Sequence, residues 1–438
     1  VSGPLLLVLL AGTAAILALS AAPLGATRRT GLLLVAASLL ALPTSAAVAA
    51  SGTAVVLVAF AADAVVARRR PSVERRVPPI LARGVAGRLD VGVDAPPGVT
   101  VRVRQPQVPD VAVVPPEATG GLDARIVASR RGRHTIPAVA SRSRGPLGLA
   151  CWYRSAAGPA DLLVYPDLPT ARRIARDVRR GRFRSEGRVT RGPLGLGTDF
   201  ETIRDYQPDD DVRRINWRAT QRTGRPMSNE YRVEQDRDVM CLVDCGRLMR
   251  APLGTLTRLD AALDAVCAVA YVADEVGDRC GVVAFDDTVR RHLPARRGGG
   301  DGVVAAVFDL EPSAVDSDYE LAFRTVGGSK RALVLVLTDL LDEAAASALL
   351  DAVPVLARRH AVVVAGVRDP GIGRIVSTPP DDPSDVFDMI AALDVLAARD
   401  RVAAELERAG ATVIEAPPGD LPAACVAAYL SAKARARL

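Results

Sequence analysis

Lysine is almost missing from this chain: among 56 basic residues only Lys330 and Lys433 are not arginine. A GC-rich coding sequence accounts for that skew. The basic excess is only six charges, and no basic block is interleaved with aromatics, so nucleic-acid binding is excluded as a reading. Histidine is equally scarce. His134, His292 and His360 fall in three separate contexts, and His134 has no metal-spaced neighbour. No GxSxG, HExxH or Walker A pattern is present, so the familiar hydrolase and nucleotide templates lack their parts. The glycine-rich "GPLGLG" from Gly192 has neither a clear strand before it nor a helix directly after it, which removes a phosphate cradle. The six cysteines form no CxxC pair. Cys241 and Cys245 read as buried free thiols on one apolar stretch, which fits a reducing compartment.

What the chain has in quantity is apolar residue, 49% of 438 positions. That length implies two or three cores. Part of the apolar content is gathered at the start. The run from Pro4 to Ala22 carries no charge and is long enough to cross a bilayer, and apolar runs from Gly31 and from Gly52 to Ala67 follow. The later two suggest a hairpin broken at Pro43–Ser45. Three crossings are expected, with two as the alternative. The first run lacks a basic leader and a cleavage site, which argues against a removed signal peptide. Arg28 and Arg29, and then Arg68, Arg69 and Arg70, can both lie on the cytoplasmic side, which predicts that everything after Arg70 is cytoplasmic.

The remainder divides by rhythm. Residues 71–167 alternate apolar with polar between Pro and Gly punctuation, as a small β-sandwich does. Residues 168–235 read as a connector, with a basic helix over Thr170–Arg180 that is either a solvated linker face or a surface for anionic headgroups. Residues 236–438 alternate Val/Leu-rich strands with helices, which implies an α/β domain built on a mostly parallel sheet. Ligands of such folds sit at the carboxyl ends of strands. Asp244 and the pair Thr338-Asp339 stand there, where carboxylates can bind a hard cation or simply cap helices.

Chemistry is crowded into one stretch, "GTDFETIRDYQPDDDVRRINWRATQRTG", Gly197 to Gly224. Asp210 and Asp211 after Pro208 signal a helix start and Gly224 a stop. Val212, Ile215 and Ala219 would form its apolar face, with Trp217 as an anchor on neighbouring structure. Arg204, Arg213 and Arg214 can pair with Asp205, Asp209 and Asp210. Exposed pairs contribute only ~0–1 kcal/mol each. Two readings therefore stay open: a segment docking the connector onto the α/β domain, or a directional surface for a partner.

That stretch resembles the signature of the bacterial domain of unknown function 58 family, on Gly197, Asp199, Phe200, Arg204, Tyr206, Asp210, Asp211, Arg213, Ile215 and Trp217. It departs at Asp209, where the family usually has Gly, and at Asn216, where Asp is usual. The resemblance extends from the membrane segments through "PLGL" at Pro146 to the end of the chain. It implies a last domain similar to von Willebrand factor type A domains, an α/β Rossmannoid fold that binds Mg²⁺ through Asp-x-Ser-x-Ser, a Thr and a further Asp. By that resemblance Asp244, Ser317 and Asp339 are the ligand counterparts, while Gly246 and Leu248 replace both hydroxyl residues, so a tight site is not expected. The family also implies a partner, a MoxR-type AAA+ ATPase. The expected protein is a membrane-anchored, non-enzymatic adaptor in envelope assembly or maturation. The alternative is a metal-dependent hydrolase at the carboxyl rim of the sheet.

Overall fold

A computed structural model describes residues 14, 23–39, 46–185, 188–189, 199–207, 215–232, 237–326, 331–339 and 343–434. The chain divides into two compact units, 1–164 and 165–438. The expected boundary between sandwich and connector was 167/168.

In the first unit β1 (Leu24–Ala26) leads into helix α1 (Arg28–Leu39), and α2 (Ala46–Ala67) follows. Among the described residues one helix, Ala47–Ala67, is long and apolar enough to cross a membrane. The twelve residues of α1 cover about 18 Å, short of a hydrocarbon core of about 30 Å. The first apolar run, from Pro4 to Ala22, and Pro43–Ser45 lie outside the described residues, Ala14 apart. Both helices turn large apolar side chains outward, among them Leu32, Val55, Val58 and Val65.

Eleven strands follow: β2 (Ser72–Arg76), β3 (Ile80–Ala82), β4 (Gly87–Asp94), β5 (Thr100–Arg104), β6 (Val111–Val114), β7 (Glu117–Thr119), β8 (Gly121–Ala128), β9 (Gly132–Ile136), β10 (Val139–Arg144), β11 (Ala150–Ala156) and β12 (Ala160–Tyr165). They form sheets of order β1-β11-β10-β5-β7, β2-β4-β8-β6 and β3-β12-β9. Strict alternation in β5, β6 and β8 sends Val101, Val103, Val111, Val113, Leu122 and Ile126 into one core. His134 lies half-buried on β9, its Nε2 bonded to the Arg130 carbonyl, which is a structural role.

The sequence does not announce β1 or what it does. It pairs with β11, so the segment just before α1 is an edge of the sandwich sheet. The far end of α2 is held by the same region. Asp63, buried in the helix, accepts backbone N–H bonds from Leu147 (2.8 Å), Leu149 (2.7 Å) and Ala150 (2.8 Å). Thr27 and Thr30 donate their hydroxyls to the carbonyls of Gly148 (2.7 Å) and Leu149 (2.5 Å). A Cβ on Gly145 would collide with the Asp63 carboxylate, so glycine there permits the close approach. The loop 145–150, the "GPLGL" stretch, thus ties the start of α1 and the end of α2 to one place.

The second unit opens with α3 (Leu168–Arg179). It is not the solvated linker expected. Ala171, Ile174, Ala175 and Val178 are buried in the α/β core, and its arginines form the outer face. Next comes a hairpin of β13 (Asp199–Asp205) and β14 (Met227–Arg232), with the short helix α4 (Trp217–Thr223) between them.

The sheet then forms from β15 (Asp238–Asp244), α5 (Arg258–Val276), β16 (Arg279–Phe285), β17 (Val289–Arg297), α6 (Gly300–Val307), α7 (Tyr319–Val326), β18 (Ala332–Leu337), α8 (Glu343–Ala357), β19 (Ala361–Val367), α9 (Pro370–Ser377), α10 (Pro383–Arg408), β20 (Thr412–Ala416) and α11 (Leu421–Ala434). Strand order is β17-β16-β15-β18-β19-β20, parallel except for β17. The parallel strands β15, β16, β18 and β19 are buried almost throughout, because helices cover both faces. α5 is the central helix. A reciprocal Thr257–Asp260 cap starts it and Gly277, at φ 78°, stops it. The strand β17 and the helices α6 and α9 were not separated from loop in the sequence. Cys241, Cys245, Cys267, Cys280 and Cys425 are all buried in the core around α5.

Candidate functional site

In a doubly wound sheet the order reverses between the first strand and its other neighbour, and the carboxyl ends there frame a crevice. Here those strands are β15 and β18. The residue ending β15 is Asp244, and Thr338-Asp339 directly follow β18, so the topology brings the sequence-predicted residues to one place.

The Asp244 carboxylate is fully engaged by the protein. Its Oδ1 accepts from Gly246 N at 2.8 Å and Ser317 Oγ at 2.5 Å. Its Oδ2 accepts from Tyr319 OH at 2.8 Å and Thr338 Oγ1 at 2.6 Å. Burial, followed by the neighbouring Asp244 charge, pushes the Tyr319 phenol well above its ordinary value, so the ring remains a hydrogen-bond donor. Asp339 faces other partners. Its Oδ2 lies 2.5 Å from Arg258 Nη1 and its Oδ1 2.6 Å from Arg399 Nη2, with all three side chains almost wholly buried. Arg258 is the first residue of α5, and Arg399 reaches in from α10 and also donates to the Val367 carbonyl. Burial lowers the Arg258 pKa, partly offset by the Asp339 charge, but an arginine stays protonated at any physiological pH.

These residues do not fit a divalent cation. Mg²⁺ requires near-octahedral oxygen ligation at about 2.0–2.1 Å. Four donors saturate Asp244, and two guanidinium groups already supply the positive charge at Asp339. Gly246 contributes no oxygen, and a Cβ there would collide with Ser317 Oγ and stand 2.9 Å from the Val315 carbonyl. Of the three counterparts inferred from resemblance, Ser317 and Asp244 meet and Asp339 is drawn into a separate ion triad. No sequence signal flagged Arg258, Tyr319 or Arg399. Arg258 opens a helix and Arg399 sits sixty residues after its partner.

The crowded stretch is placed differently from expectation. Gly197, Asp210, Asp211 and Arg213 lie outside the described residues, as do Asp209 and Arg214. Asp199 and Phe200 start β13, opposite Arg232 and Tyr231. The helix starts not at Asp210 but at Asn216, whose side chain accepts from Ala219 N at 3.0 Å; Gly224, in the left-handed region, ends it as read. Ile215 is not on the helix but bridges Ser228. Arg204 donates to the Asp205 carbonyl, and the Asp205 carboxylate lies 3.5 Å from Arg225. Tyr206 follows β13 and donates its backbone N–H to Pro226. Trp217 is no anchor: it is 66% exposed, and no residue of α4 is buried.

The second unit is therefore a doubly wound α/β domain whose rim carboxylates are engaged by its own donors, neutral ones at Asp244 and two guanidinium groups at Asp339. Residues 202–382 match the family described as "Protein of unknown function DUF58". The matched span takes in the hairpin from Thr202 and, within it, Asp244, Arg258, Ser317, Tyr319, Thr338 and Asp339. Relatives similar to this chain include the "Uncharacterized protein Rv1480" of Mycobacterium tuberculosis and the "Uncharacterized protein Mb1516" of Mycobacterium bovis. Each is 25% identical over 182 residues, 40% of this chain. The match spans about half, 56%, of the length of these relatives.

Proposed function

We propose that this is a membrane-anchored interaction protein that works through its surfaces rather than through rim chemistry. The observation that carries the reading is Trp217. An indole 66% exposed on a helix with no buried residue does little for stability, whereas Trp is among the commonest anchors of protein interfaces. The internally spent carboxylates Asp244 and Asp339 support the non-enzymatic part of the reading. On the family resemblance, the last domain is von Willebrand A-like with a degenerate cation site, and the partner is a MoxR-type AAA+ ATPase acting in envelope assembly or maturation. Arg28, Arg29 and Arg68–Arg70 flank the helix ends that Thr27, Thr30 and Asp63 gather at one loop, which supports a common, cytoplasmic side for both clusters. Multi-pass insertion is part of the same proposal.

The test is affinity purification of the full chain from membranes, followed by mass spectrometry. Enrichment of an AAA+ ATPase that is lost on Trp217→Ala, at unchanged melting temperature, supports the reading. Its absence from the purified material defeats it.

A metal-dependent hydrolase is the second reading, and the four donors on Asp244 and the two guanidinium groups on Asp339 weigh against it. Calorimetric binding of Mg²⁺ or Mn²⁺ abolished by Asp244→Ala would install it.

A further inference from the structure

The helices α9 and α10 pack on each other, and the first half of α10 buries only Ala392. Along it Val386, Ile390 and Leu393 stand at i, i+4 and i+7, with Phe387 beside them at 73% exposure. Between residues 370 and 394 the charged side chains are Asp381, Asp382, Asp385, Asp388 and Asp394 against the single Arg374. Capping accounts for Asp382 and Asp385, which bond the first turn reciprocally. It accounts for neither Asp388 nor Asp394, nor for a phenyl ring held in water. Beside Phe387 is an open depression of about 420 Å³ lined by Pro380, Asp381, Asp382, Pro383, Val386 and Phe387. It is apolar within and carboxylate at the rim.

A site of that kind fits an aromatic side chain flanked by arginines. The chain carries such a group. Trp217 is followed by Arg218 and Arg222 on α4 and by Arg225 after it, and residues 217–225 contain no acidic residue. All four side chains are exposed. The other basic helix, α3, offers arginines but buries its apolar face, so it has no anchor to insert. An anionic membrane is a poor occupant for a face with five aspartates.

We infer that the Trp217 helix of one copy docks on the acidic α9–α10 face of a second copy, with the indole in the depression beside Phe387 and Arg218 and Arg222 against its aspartates. The inference rests on the reading of Trp217 as an interaction residue and names its occupant. Because each copy offers two different surfaces, the contact is head-to-tail and propagates into rings or open chains. Charge-assisted pairing makes it sensitive to salt.

Sedimentation of the full chain in detergent micelles tests this. The wild type should self-associate with increasing concentration and dissociate as salt is raised. Trp217→Ala and Phe387→Ala, both at exposed positions, should each weaken association about tenfold or more with unchanged melting temperatures. Mixing the two variants should restore a dimer, since one retains the indole and the other the phenyl face. A wild type that stays monomeric at all concentrations, or variants that associate as it does, overturns the inference. Loss of AAA+ ATPase copurification in Trp217→Ala without any change in self-association also overturns it and leaves the adaptor reading standing. Loss of self-association in a protein that never brings down an ATPase does the reverse.

Discussion

Ser317 Oγ donates to Asp244 Oδ1 and lies where a Cβ on Gly246 would have to go. The glycine's lack of a side chain therefore lets Ser317 close over Asp244. Placing a serine at that position should not create cation binding. Gly246→Ser should destabilise the domain by ~1–3 kcal/mol, as overpacking does, with no Mg²⁺ heat in calorimetry. Adding Ser317→Ala should recover much of the loss, although the Val315 carbonyl remains 2.9 Å from the new Cβ. Denaturant midpoints of the wild type and the two variants check this. A tight Mg²⁺ site in Gly246→Ser would contradict it.

Asp339 holds two buried guanidinium groups, those of Arg258 and Arg399. Asp339→Ala leaves Arg258 and Arg399 facing each other with only the weaker pull of Asp369 and Glu415 on Arg258. Breaking a buried pair in this way costs about 3–5 kcal/mol. Replacing all three, with Arg258→Met and Arg399→Met added, removes the uncompensated charge and should return most of the stability. Urea unfolding of the single and triple variants separates a charge effect from a packing effect. Equal losses in both would show that shape, not charge, is what the triad supplies.

Much of this was legible in the sequence, for physical reasons. Runs such as "VMCLVDC" and "ALVLVLTDL" are long and apolar, so the strands and their carboxyl ends could be read directly, and with them Asp244 and Asp339. The partners could not. Arg258 and Arg399 look like ordinary surface arginines, because the pairing that buries them depends on tertiary placement sixty to eighty residues away in the chain. The hairpin was misread for a local reason. Asp210 and Asp211, which lie outside the described residues, carry the cap-like pattern, whereas the helix that Gly224 ends is capped by Asn216, whose side chain accepts from Ala219 N. α3 was read as a linker because its charged face dominates the composition, while four small or branched residues decide where it packs. β17 is hidden in the sequence because it is an exposed edge strand with four arginines and no apolar run.

Asp286, just beyond β16, gives the domain an acid dependence. Burial alone would raise its carboxyl. The Arg290 guanidinium at 2.7 Å and the Thr288 amide and hydroxyl at 3.0 Å outweigh that and hold its pKa at about 2. In the unfolded chain an aspartate titrates near 4, roughly. The folded value is the lower one, so the stabilisation is complete above about pH 4 and is lost as pH falls towards 2. Asp286→Asn should be less stable at pH 7 and should show a shallower decline between pH 4 and 2. Thermal melts across that range read the difference. Parallel curves would remove Asp286 from the account.

Asp63 lies near the end of α2, the helix that is long and apolar enough to cross a membrane. Its carboxylate accepts three backbone N–H groups of the 147–150 loop, two of them on Oδ2. The surrounding contacts, Phe60 and Ala64 on α2 against Leu149 and Ala150, are apolar and buried. Asp63→Ala therefore orphans three amides in a place that water does not easily reach. Each buried unsatisfied donor costs ~1–3 kcal/mol, though the three will not add fully because the loop can shift. Asp63→Asn keeps one acceptor oxygen and should lose less. Gly145→Ala tests the same contact from the other side, since its Cβ would displace the carboxylate. The expected outcome is a sandwich that still folds but whose 145–150 loop is cut by protease in detergent-solubilised full chain, in the order Asp63→Ala, then Asp63→Asn, then wild type. Cleavage rates that do not follow the number of lost hydrogen bonds would show that the apolar contacts alone fix the loop to the helix.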